Sequence, residues 1–216
     1  MKGLFTFQSG GWRRWLAGLL VLSWLVGWGV AQTLMVNDDV RTAAVLTNTA
    51  VTLSGRGELV VTGAGDPLPG STVNFVSADA WLRFTSVLPS EVRNNLLGRF
   101  RVNGAAAVLD GNVRIVQYER GAVVIAQPPD FPAMEVFDAR YFAGRGKRLY
   151  QYVEYNDVRL GGMRLAVRSF RLKRGYMATL AANEDGTGES RVYVAQDGDM
   201  EVGRLPDGLE GEVRFV

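Results

Sequence analysis

Apolar and polar residues alternate with a period of two along most of residues 51–125. Such alternation predicts short β-strands with one buried face. Seven apolar pairs carry the pattern: Val51/Leu53, Leu59/Val61, Val73/Phe75, Leu82/Phe84, Phe100/Val102, Val113/Ile115 and Val123/Ile125. Glycine, proline, asparagine and aspartate cluster between them, for example at 63–70 and 110–112, and these residues reverse the chain. The stretch closest to a helical period is 90–97, which predicts one short helix.

The spacing of the strands leaves two architectures open for residues 32–128. Paired strands eight to ten residues apart suit a β-sandwich, and they also suit the short turns of a right-handed β-solenoid. Many of the reversals are only three or four residues long, and the inward positions are consistently Val, Leu, Ile or Phe. Stacked turns need both features. We therefore favour a β-solenoid-like module over a sandwich, and neither architecture implies an active site.

Residues 1–31 have the pattern of a signal peptide. Two arginines and a lysine supply positive charge, and residues 15–30 contain no charged side chain. Gly29 and Ala31 place small residues where a signal peptidase cleaves, which predicts Gln32 as the new N-terminus. An uncleaved anchor is the alternative, but the uncharged run is short for a ~30 Å hydrocarbon core, which needs about 20 residues. We expect cleavage, no membrane contact afterwards, and a secreted, periplasmic or cell-surface location.

Composition restricts the chemistry of the chain. It has no histidine and no cysteine among its 216 residues. Missing cysteine excludes disulfides and thiolate chemistry, and missing histidine removes the commonest general base and most transition-metal sites. The whole chain has a formal charge of +2, but the part after the predicted signal peptide has one more acidic than basic residue. This part of the chain therefore lacks the excess of positive charge that is typical of nucleic-acid-binding proteins.

The remaining routes to catalysis use carboxylate, lysine or tyrosine side chains. A glycosidase needs two carboxylates at a defined separation in an enclosed cleft. Acidic residues are plentiful, but no pair of them is marked by its context. We therefore predict a non-enzymatic protein without catalytic residues.

A proline-rich break at 128–132 is the best candidate for a domain boundary. After it, one aromatic residue ends a predicted strand at Phe137, a second follows at Phe142, and a glycine stands at Gly144. This spacing predicts a hairpin that folds over itself, because the aromatic rings pack on the turn and the glycine adopts a conformation that a Cβ would forbid. The hydroxyl of Ser169 can hydrogen-bond back into that hairpin.

The pattern occurs twice within residues 131–216. Corresponding positions follow 44 to 46 residues later, with Ala181 in place of the aromatic residue and Phe215 in place of the serine. The spacing resembles the Greek-key motif of the βγ-crystallins. This resemblance implies two interlocked antiparallel units that form one sandwich. In this alignment Val216 lies in the middle of a strand, so we expect a domain truncated at its end.

The resemblance also raises the question of calcium, which many microbial βγ-crystallins bind through paired acidic or amide oxygens followed by serine. The matching positions are Arg164, Leu165 and Ser169 in the first unit and Glu210 and Gly211 in the second. An arginine repels the cation, and a leucine donates no ligand. We expect no ordinary crystallin-type calcium site and no other metal or cofactor.

Charge is divided unevenly between the two units. Residues 138–176 hold ten basic and three acidic residues, whereas residues 177–216 hold three basic and nine acidic ones. We expect the units to attract each other across their interface, with a small contribution from each surface pair. The alternative is an acidic surface that binds calcium loosely and stabilises a structural domain.

Three tyrosines, Tyr150, Tyr152 and Tyr155, form the candidate binding site. Tyr150 and Tyr152 share one face of a predicted strand, and rings in a row can stack on sugar faces. The alternative is a set of half-buried tyrosines favoured by strand propensity. We expect a further aromatic residue, Trp81, to cap the core formed by residues 32–128.

These features predict a secreted, non-catalytic binding or structural module directed to a polysaccharide or a cell-surface glycan. Residues 102–125 and 169–188 resemble the leading portion of large bacterial secreted proteins that carry a glycoside hydrolase domain downstream. The resemblance implies an accessory region of such a protein. The alternatives are a calcium-stabilised structural domain and a fragment of a secreted glycoside hydrolase without its catalytic domain. The oligomeric state stays open.

Overall fold

The computed structural model describes residues 32–151 and 153–216, so the predicted signal peptide and Tyr152 lie outside the described residues. We call residues 32–127 the first part and residues 131–216 the second part. Strands dominate both, and the predicted all-β class is confirmed. Within the described residues, none of the helices has the length and apolar character needed to cross a bilayer.

The first part contains ten strands among its described residues. They are β1 (Gln32–Asn37), β2 (Val40–Ala43), β3 (Thr49–Ser54), β4 (Glu58–Val61), β5 (Thr72–Phe75), β6 (Trp81–Phe84), β7 (Phe100–Val102), β8 (Ala105–Ala106), β9 (Arg114–Tyr118) and β10 (Gly121–Ile125). The predicted helical stretch forms α1 (Pro89–Glu91) and a following π turn (Val92–Leu96). The second part contains β11 (Pro132–Phe137), β12 (Gly146–Tyr150), α2 (Asp157–Leu160), β13 (Ser169–Leu172), β14 (Tyr176–Ala181), β15 (Ser190–Ala195) and β16 (Met200–Val202).

Successive strands of the first part alternate between two sheets. β1, β3, β5 and β7 pair in parallel in one sheet, and β8 ends it in antiparallel orientation. β2, β4 and β6 pair in parallel in the other sheet, which continues through antiparallel β10 and β9. Each turn of the chain therefore stacks on the turn before it. A solenoid-like coil needs this pairing, although the solenoid classification itself stays a prediction.

The parallel register aligns apolar side chains in columns that hold the turns together. Two columns are Leu34–Val51–Val73–Phe100 and Val36–Leu53–Phe75–Val102. The rings of Phe75 and Phe100 meet edge to face, with centroids 6.4 Å apart. Burial of a side chain of this size contributes roughly 1.5–3 kcal/mol. The columns thus stabilise the stack turn by turn.

β10 departs from the predicted alternation. The pattern placed Val123 and Ile125 in the core, but Ala122 and Val124 are the residues that join the core of the first part. Val123 and Ile125 pack with Trp81 on the opposite face of the sheet. The expectation that Trp81 caps the core of the first part is wrong, because Trp81 packs with Val123 and Ile125 on the face of the sheet away from that core. β10 is consequently buried on both faces.

The second part consists of two Greek keys that exchange strands. The first key, from β11 to β13, forms an antiparallel sheet in the order β12-β11-β13-β16, and its fourth strand comes from the second key. In the second key β14 pairs with β15, and Ala181 forms a bridge with Phe215. Tyr155 of the first key is joined to Val216 by backbone hydrogen bonds of 2.8 and 2.9 Å. The predicted pair of interlocked Greek keys is confirmed.

The predicted folded hairpin is present in the first key. The rings of Phe137 and Phe142 meet edge to face, with centroids 5.8 Å apart. The Ser169 hydroxyl accepts a hydrogen bond from the Phe142 N–H at 3.0 Å and donates one to a hairpin carbonyl at 2.7 Å. Gly144 has a φ of +76°, and a Cβ there would lie 2.1 Å from a carboxylate oxygen of Asp138. The hairpin therefore requires glycine at this position.

The second key closes its hairpin differently. The ring of Phe215, which occupies the position of Ser169, lies about 3.5 Å from where a Cβ of Gly186 would stand. Ring packing thus replaces the two hydrogen bonds of the serine. Between the sheets lies the core of the second part, where Phe170 and Leu180 are fully buried. The domain boundary at 128–132 stays a prediction.

Candidate functional site

Tyr150 is the one candidate tyrosine whose ring is exposed among the described residues. It lies at the end of β12, and 43% of its surface is exposed. Tyr155 is only 7% exposed and belongs to the core of the second part. Its hydroxyl accepts a hydrogen bond of 2.8 Å from the Tyr150 N–H. Burial therefore removes Tyr155 from the predicted stacking surface.

A cavity of about 600 Å³ opens beside Tyr150. Its lining includes residues 176–179 of β14 and residues 153–155. Its inner lining includes Met134, Leu149 and Leu172, which are buried residues of the neighbouring sheet. A mostly apolar cavity of roughly 300–1,000 Å³ with a few polar groups is typical of ligand sites.

A hydrogen-bonded cluster closes one end of this cavity. The Tyr176 hydroxyl lies 2.7 Å from Oε1 of Gln151, and Nη1 of Arg114 donates to that hydroxyl at 2.9 Å. Arg114 also donates to Gln151. Burial raises the pKa of Tyr176, and the Arg114 charge opposes this effect. Because Arg114 belongs to β9 and the other two residues to the second part, the cluster also links the two parts.

In the first key, the positions that match a calcium motif hold an ion-pair cluster. Nε of Arg164 lies 2.7 Å from Oδ2 of Asp157, and Arg214 of the second key binds the same carboxylate. Hydrogen bonding by Arg214 is the main cause that lowers the pKa of Asp157. Leu165 offers no side-chain oxygen, and the Ser169 hydroxyl is engaged in the hairpin.

In the second key, Glu210 lies at the centre of a similar cluster. Its side chain is 6% exposed and pairs with Arg140, with Arg204 at 3.1 Å and with Arg168 at 3.6 Å. The hydrogen bond from Arg140, helped by Arg204, lowers the pKa of Glu210 to about 2. Gly211 supplies no side-chain ligand. The carboxylate is therefore ionised and already surrounded by cations.

Neither cluster fits a calcium ion. Calcium takes roughly six to eight oxygen ligands, whereas each carboxylate here is held by two or three guanidinium groups. No group of three or more acidic side chains in residues 32–151 and 153–216 is placed to hold one ion. The opposite charges of the two keys pair with each other. Arg140 and Arg168 of the first key bind Glu210 of the second, and Arg214 of the second key binds Asp157 of the first.

A third cluster, which we call the junction, joins the two parts. It comprises Trp81, Arg174 and Gly175 together with the ion pairs around them. The guanidinium of Arg174 stacks over the Trp81 ring at 4.1 Å from its centroid, and Nη2 donates to the Asp79 carbonyl at 2.7 Å. Gly175 has a φ of +80°, and a Cβ there would lie 2.9 Å from the Trp81 ring. The turn between β13 and β14 therefore lies directly on β6.

Ion pairs surround the stacked arginine. Nη1 of Arg174 lies 3.3 Å from Glu58, and these two side chains are only 10% and 14% exposed. Lys173 pairs with Asp79 at 3.0 Å and with Asp199 at 3.3 Å. Burial is the main cause that lowers the pKa of Arg174, and Glu58 opposes it. An ion pair as little exposed as Arg174–Glu58 is screened only weakly by salt.

Sequence reasoning missed the junction, although one signal was available. Strands β6 and β10 carry apolar residues on both faces, with Trp81, Val123 and Ile125 on the side away from the core of the first part. A strand with one solvated face alternates apolar and polar residues, whereas a strand covered on both faces does not. The break in alternation at these strands therefore indicated a covered surface.

Comparison with known proteins gives distant likenesses in fold. No protein family and no curated protein matches the chain. A βγ-crystallin domain from Flavobacterium johnsoniae is 21% identical over 38% of this chain and 89% of its own, with a TM-score of 0.34. A double mutant of a βγ-crystallin domain from Clostridium beijerinckii is 14% identical over 38% and 91%, with a TM-score of 0.34. The N-terminal domain of protein S is 21% identical over 38% and 89%, with a TM-score of 0.31.

The second part has a βγ-crystallin-like fold. The assignment of this fold depends on the strand exchange between the keys, in which β16 of the second key completes the sheet of the first. The predicted resemblance is therefore confirmed for the fold, and the arginine clusters mark where the βγ-crystallin-like part departs from a calcium-binding pattern.

We expect the stabilising effect of Glu210 to depend on pH. Its pKa is about 2 in the folded protein against an ordinary value of 4.5. Folding thus favours the ionised form, so the stabilisation is complete above the ordinary pKa and declines as the pH falls toward the folded value. Urea unfolding of the protein and of Glu210→Gln should differ at neutral pH and converge in acid. The control is Glu201→Gln, at an exposed ion pair; a difference independent of pH would contradict the assignment.

We expect calcium to leave the melting temperature unchanged. Glu210, at a motif position, and Asp157, which pairs with Arg164 of the other motif, are both already paired with arginines. A calcium ion would have to break one of these ion pairs before it could bind either carboxylate. Thermal melts in millimolar calcium and in excess chelator should coincide, with magnesium as the control for ionic strength. A rise specific to calcium would support the calcium-stabilised alternative instead.

Proposed function

We propose that this chain is a non-catalytic module of an exported protein, with a structural role and a binding face directed to carbohydrate. The coil of the first part and the Greek keys of the second would act as one body. A rigid body of this kind would act as a spacer, because it fixes the distance and the orientation between the groups attached to its two ends.

The stacking of Arg174 on Trp81 carries the structural role. The contact covers a ring that is only 2% exposed, and a flexible linker would not hold two groups in this way. The cluster of Arg114, Gln151 and Tyr176 adds a second contact between the parts. Two separate contacts restrain rotation as well as distance, which is what a spacer or scaffold needs.

The state of the carboxylates supports a non-catalytic role. A general acid needs a carboxyl group whose pKa is raised toward neutral pH. The arginines around Asp157 and Glu210 do the opposite, because they lower the pKa of both groups. These two carboxylates are suited to hold the keys together rather than to transfer protons.

Export is proposed from the charge and apolar pattern of residues 1–31. The expected new N-terminus, Gln32, is also the first residue of β1. Its N–H donates to the carbonyl of Asn48 at 3.1 Å. Cleavage before Gln32 would therefore leave the first strand whole.

Tyr150 supports the carbohydrate direction of the binding face. Its exposed ring lies beside the cavity, and Gln151 and Glu154 place polar groups next to it. Sugar sites combine an apolar ring face with polar side chains that bind hydroxyl groups. The ligand would be a polysaccharide or a cell-surface glycan.

We expect Arg174 and Trp81 to be coupled by about 1–2 kcal/mol in a double-mutant cycle. Arg174→Met and Trp81→Leu each remove the stacked contact, so the double variant loses it only once. Far-UV circular dichroism during urea unfolding gives the four stabilities. Trp81 is the only tryptophan after residue 31, so in the chain cleaved before Gln32 its fluorescence reports on the junction itself.

The control for this cycle is Arg41→Met, which removes an arginine that is 60% exposed and pairs with Asp39. Its coupling to Trp81→Leu should be close to zero. In the unsubstituted protein the fluorescence and dichroism transitions should coincide. A fluorescence change at lower urea, together with no coupling, would show that the parts separate before they unfold and would refute the single body.

We expect Tyr150→Ala to weaken retention on insoluble polysaccharide by roughly 2- to 10-fold, the range of one aromatic contact. Pull-down on a panel of insoluble glycans measures the retained fraction. The matched control is Tyr141→Ala, because Tyr141 is 75% exposed but does not line the cavity. Equal retention of both variants and the unsubstituted protein would reject the carbohydrate direction.

A further inference from the structure

The polar and apolar residues of β15 lie on the opposite faces from those that burial favours. Arg191 lies opposite Leu180 of β14, which is fully buried, and residues directly opposite each other share a face of the sheet. Tyr193 follows two residues later on the same inward face. On the outward face, Val192 and Val194 are just over half exposed. A strand that only closes a sandwich would have its valines inward, and departures from that pattern are expected at functional sites.

A cavity of about 440 Å³ opens at the two inward residues of β15. Its other walls are Val202 of β16 and residues 204–207 (Arg-Leu-Pro-Asp). It shares no lining residue with the cavity beside Tyr150. Leu205 and Pro206 offer apolar surface, and two arginines and a tyrosine offer hydrogen-bond donors. We call it the arginine cavity.

The donors of the arginine cavity lack acceptors. Within the described residues, the Tyr193 hydroxyl is buried without a hydrogen-bond partner. Burial raises the pKa of Tyr193, and the nearby charge of Arg191 opposes this effect. Arg191 forms no ion pair in residues 32–151 and 153–216. Because a buried hydroxyl without a partner costs free energy, a ligand oxygen that accepts from it would recover that cost.

Positive charge is concentrated at this place in an otherwise acidic key. Residues 177–216 hold only three basic residues, and two of them, Arg191 and Arg204, line the arginine cavity. Arg204 shares the carboxylate of Glu210 with Arg140 and Arg168, and the three arginine side chains are 45–48% exposed. One negative charge therefore faces three positive ones.

The state of Glu210 shows the strength of this positive field. Arg140 and Arg204 lower the pKa of Glu210 to about 2. Charges that keep one carboxyl group ionised also attract a second anion.

Asp207 is the acidic residue among those that line the cavity. It pairs with Nη2 of Arg204 at 2.5 Å, but its side chain is 88% exposed. A pair as exposed as this contributes little, and its carboxylate is free to turn toward solvent. A ligand with a negative group would therefore compete with Asp207 for Arg204.

We propose that the arginine cavity holds an oxyanion, the carboxylate or sulfate group of an acidic polysaccharide, between Arg191 and Arg204. The planar guanidinium groups suit two-oxygen recognition of such a group, and the Tyr193 hydroxyl donates a further hydrogen bond. Leu205 and Pro206 contact the apolar face of the sugar ring. The choice of a polysaccharide rests on the proposed carbohydrate direction, whereas the oxyanion site is separate from Tyr150.

The test measures the binding of soluble polymers by isothermal titration calorimetry at low ionic strength. Polygalacturonate carries carboxylates, dextran sulfate carries sulfates, and dextran carries neither. We expect saturable binding of at least one acidic polysaccharide, weakened by added salt, and no binding of dextran. Poly-glutamate is included as an acidic polymer that is not a sugar.

Four variants locate the binding. Arg191→Met should weaken it roughly 10-fold or more, and Tyr193→Phe roughly 2- to 10-fold, because each removes a donor. Asp207→Asn removes the competing carboxylate and should strengthen binding, a gain that misfolding would not produce. Arg120→Met is the control for the lost positive charge, since Arg120 is exposed and lies outside the cavity.

Binding of an acidic polysaccharide that Arg191→Met weakens and Asp207→Asn strengthens supports the proposal. Equal losses from Arg191→Met and Arg120→Met would overturn the cavity as the site in favour of diffuse attraction. Poly-glutamate bound as tightly as the polysaccharides would overturn the acidic sugar. If neither acidic polysaccharide binds, the oxyanion site is overturned, while retention on insoluble glycan that depends on Tyr150 would still support the proposed function.

Discussion

The fold depends on one constraint, which is that backbone N–H and C=O groups away from water need partners. Each buried group left unpaired costs about 1–3 kcal/mol. The first part meets the constraint by stacking each turn of the chain in parallel on the one before. The second part meets it by exchange, since β16 finds its partner only in the other key. The exchange makes the keys inseparable, because neither can complete its sheet alone.

The same constraint explains which features were predictable from the sequence. Alternation predicted the inward faces of β3, β5 and β7 because those strands each bury one face. The role of Ser169 was predictable because the hairpin that it closes is recognised by local spacing. The junction was not, since Arg174 and Asp79 are separated by 95 residues and no local pattern brings them together. For Tyr155, the tyrosine-rich sequence of residues 150–155 could not show that this ring turns into the core.

Burial, rather than the number of charges, decides which ion pairs matter. The sequence predicted attraction between a basic and an acidic key, and the pairs between the keys are formed. Arg171 and Glu201 are about half exposed, so their pair contributes about 0–1 kcal/mol. Glu210 is nearly buried among three arginines, and the loss of its charge would leave those guanidinium groups facing one another. The arginines at and around the positions that match the calcium motif are therefore also groups that hold the keys together.

Ser169 and Phe215 hold the hairpins of the two keys in different ways. Ser169 fixes its hairpin through two directional hydrogen bonds, whereas Phe215 packs its ring beside Gly186, and ring packing tolerates small shifts. Phe215 also contributes one bridge where the first key has four paired residues. Local stability follows the density of such contacts. The hairpin of the second key is therefore held by fewer directional contacts than the hairpin of the first key.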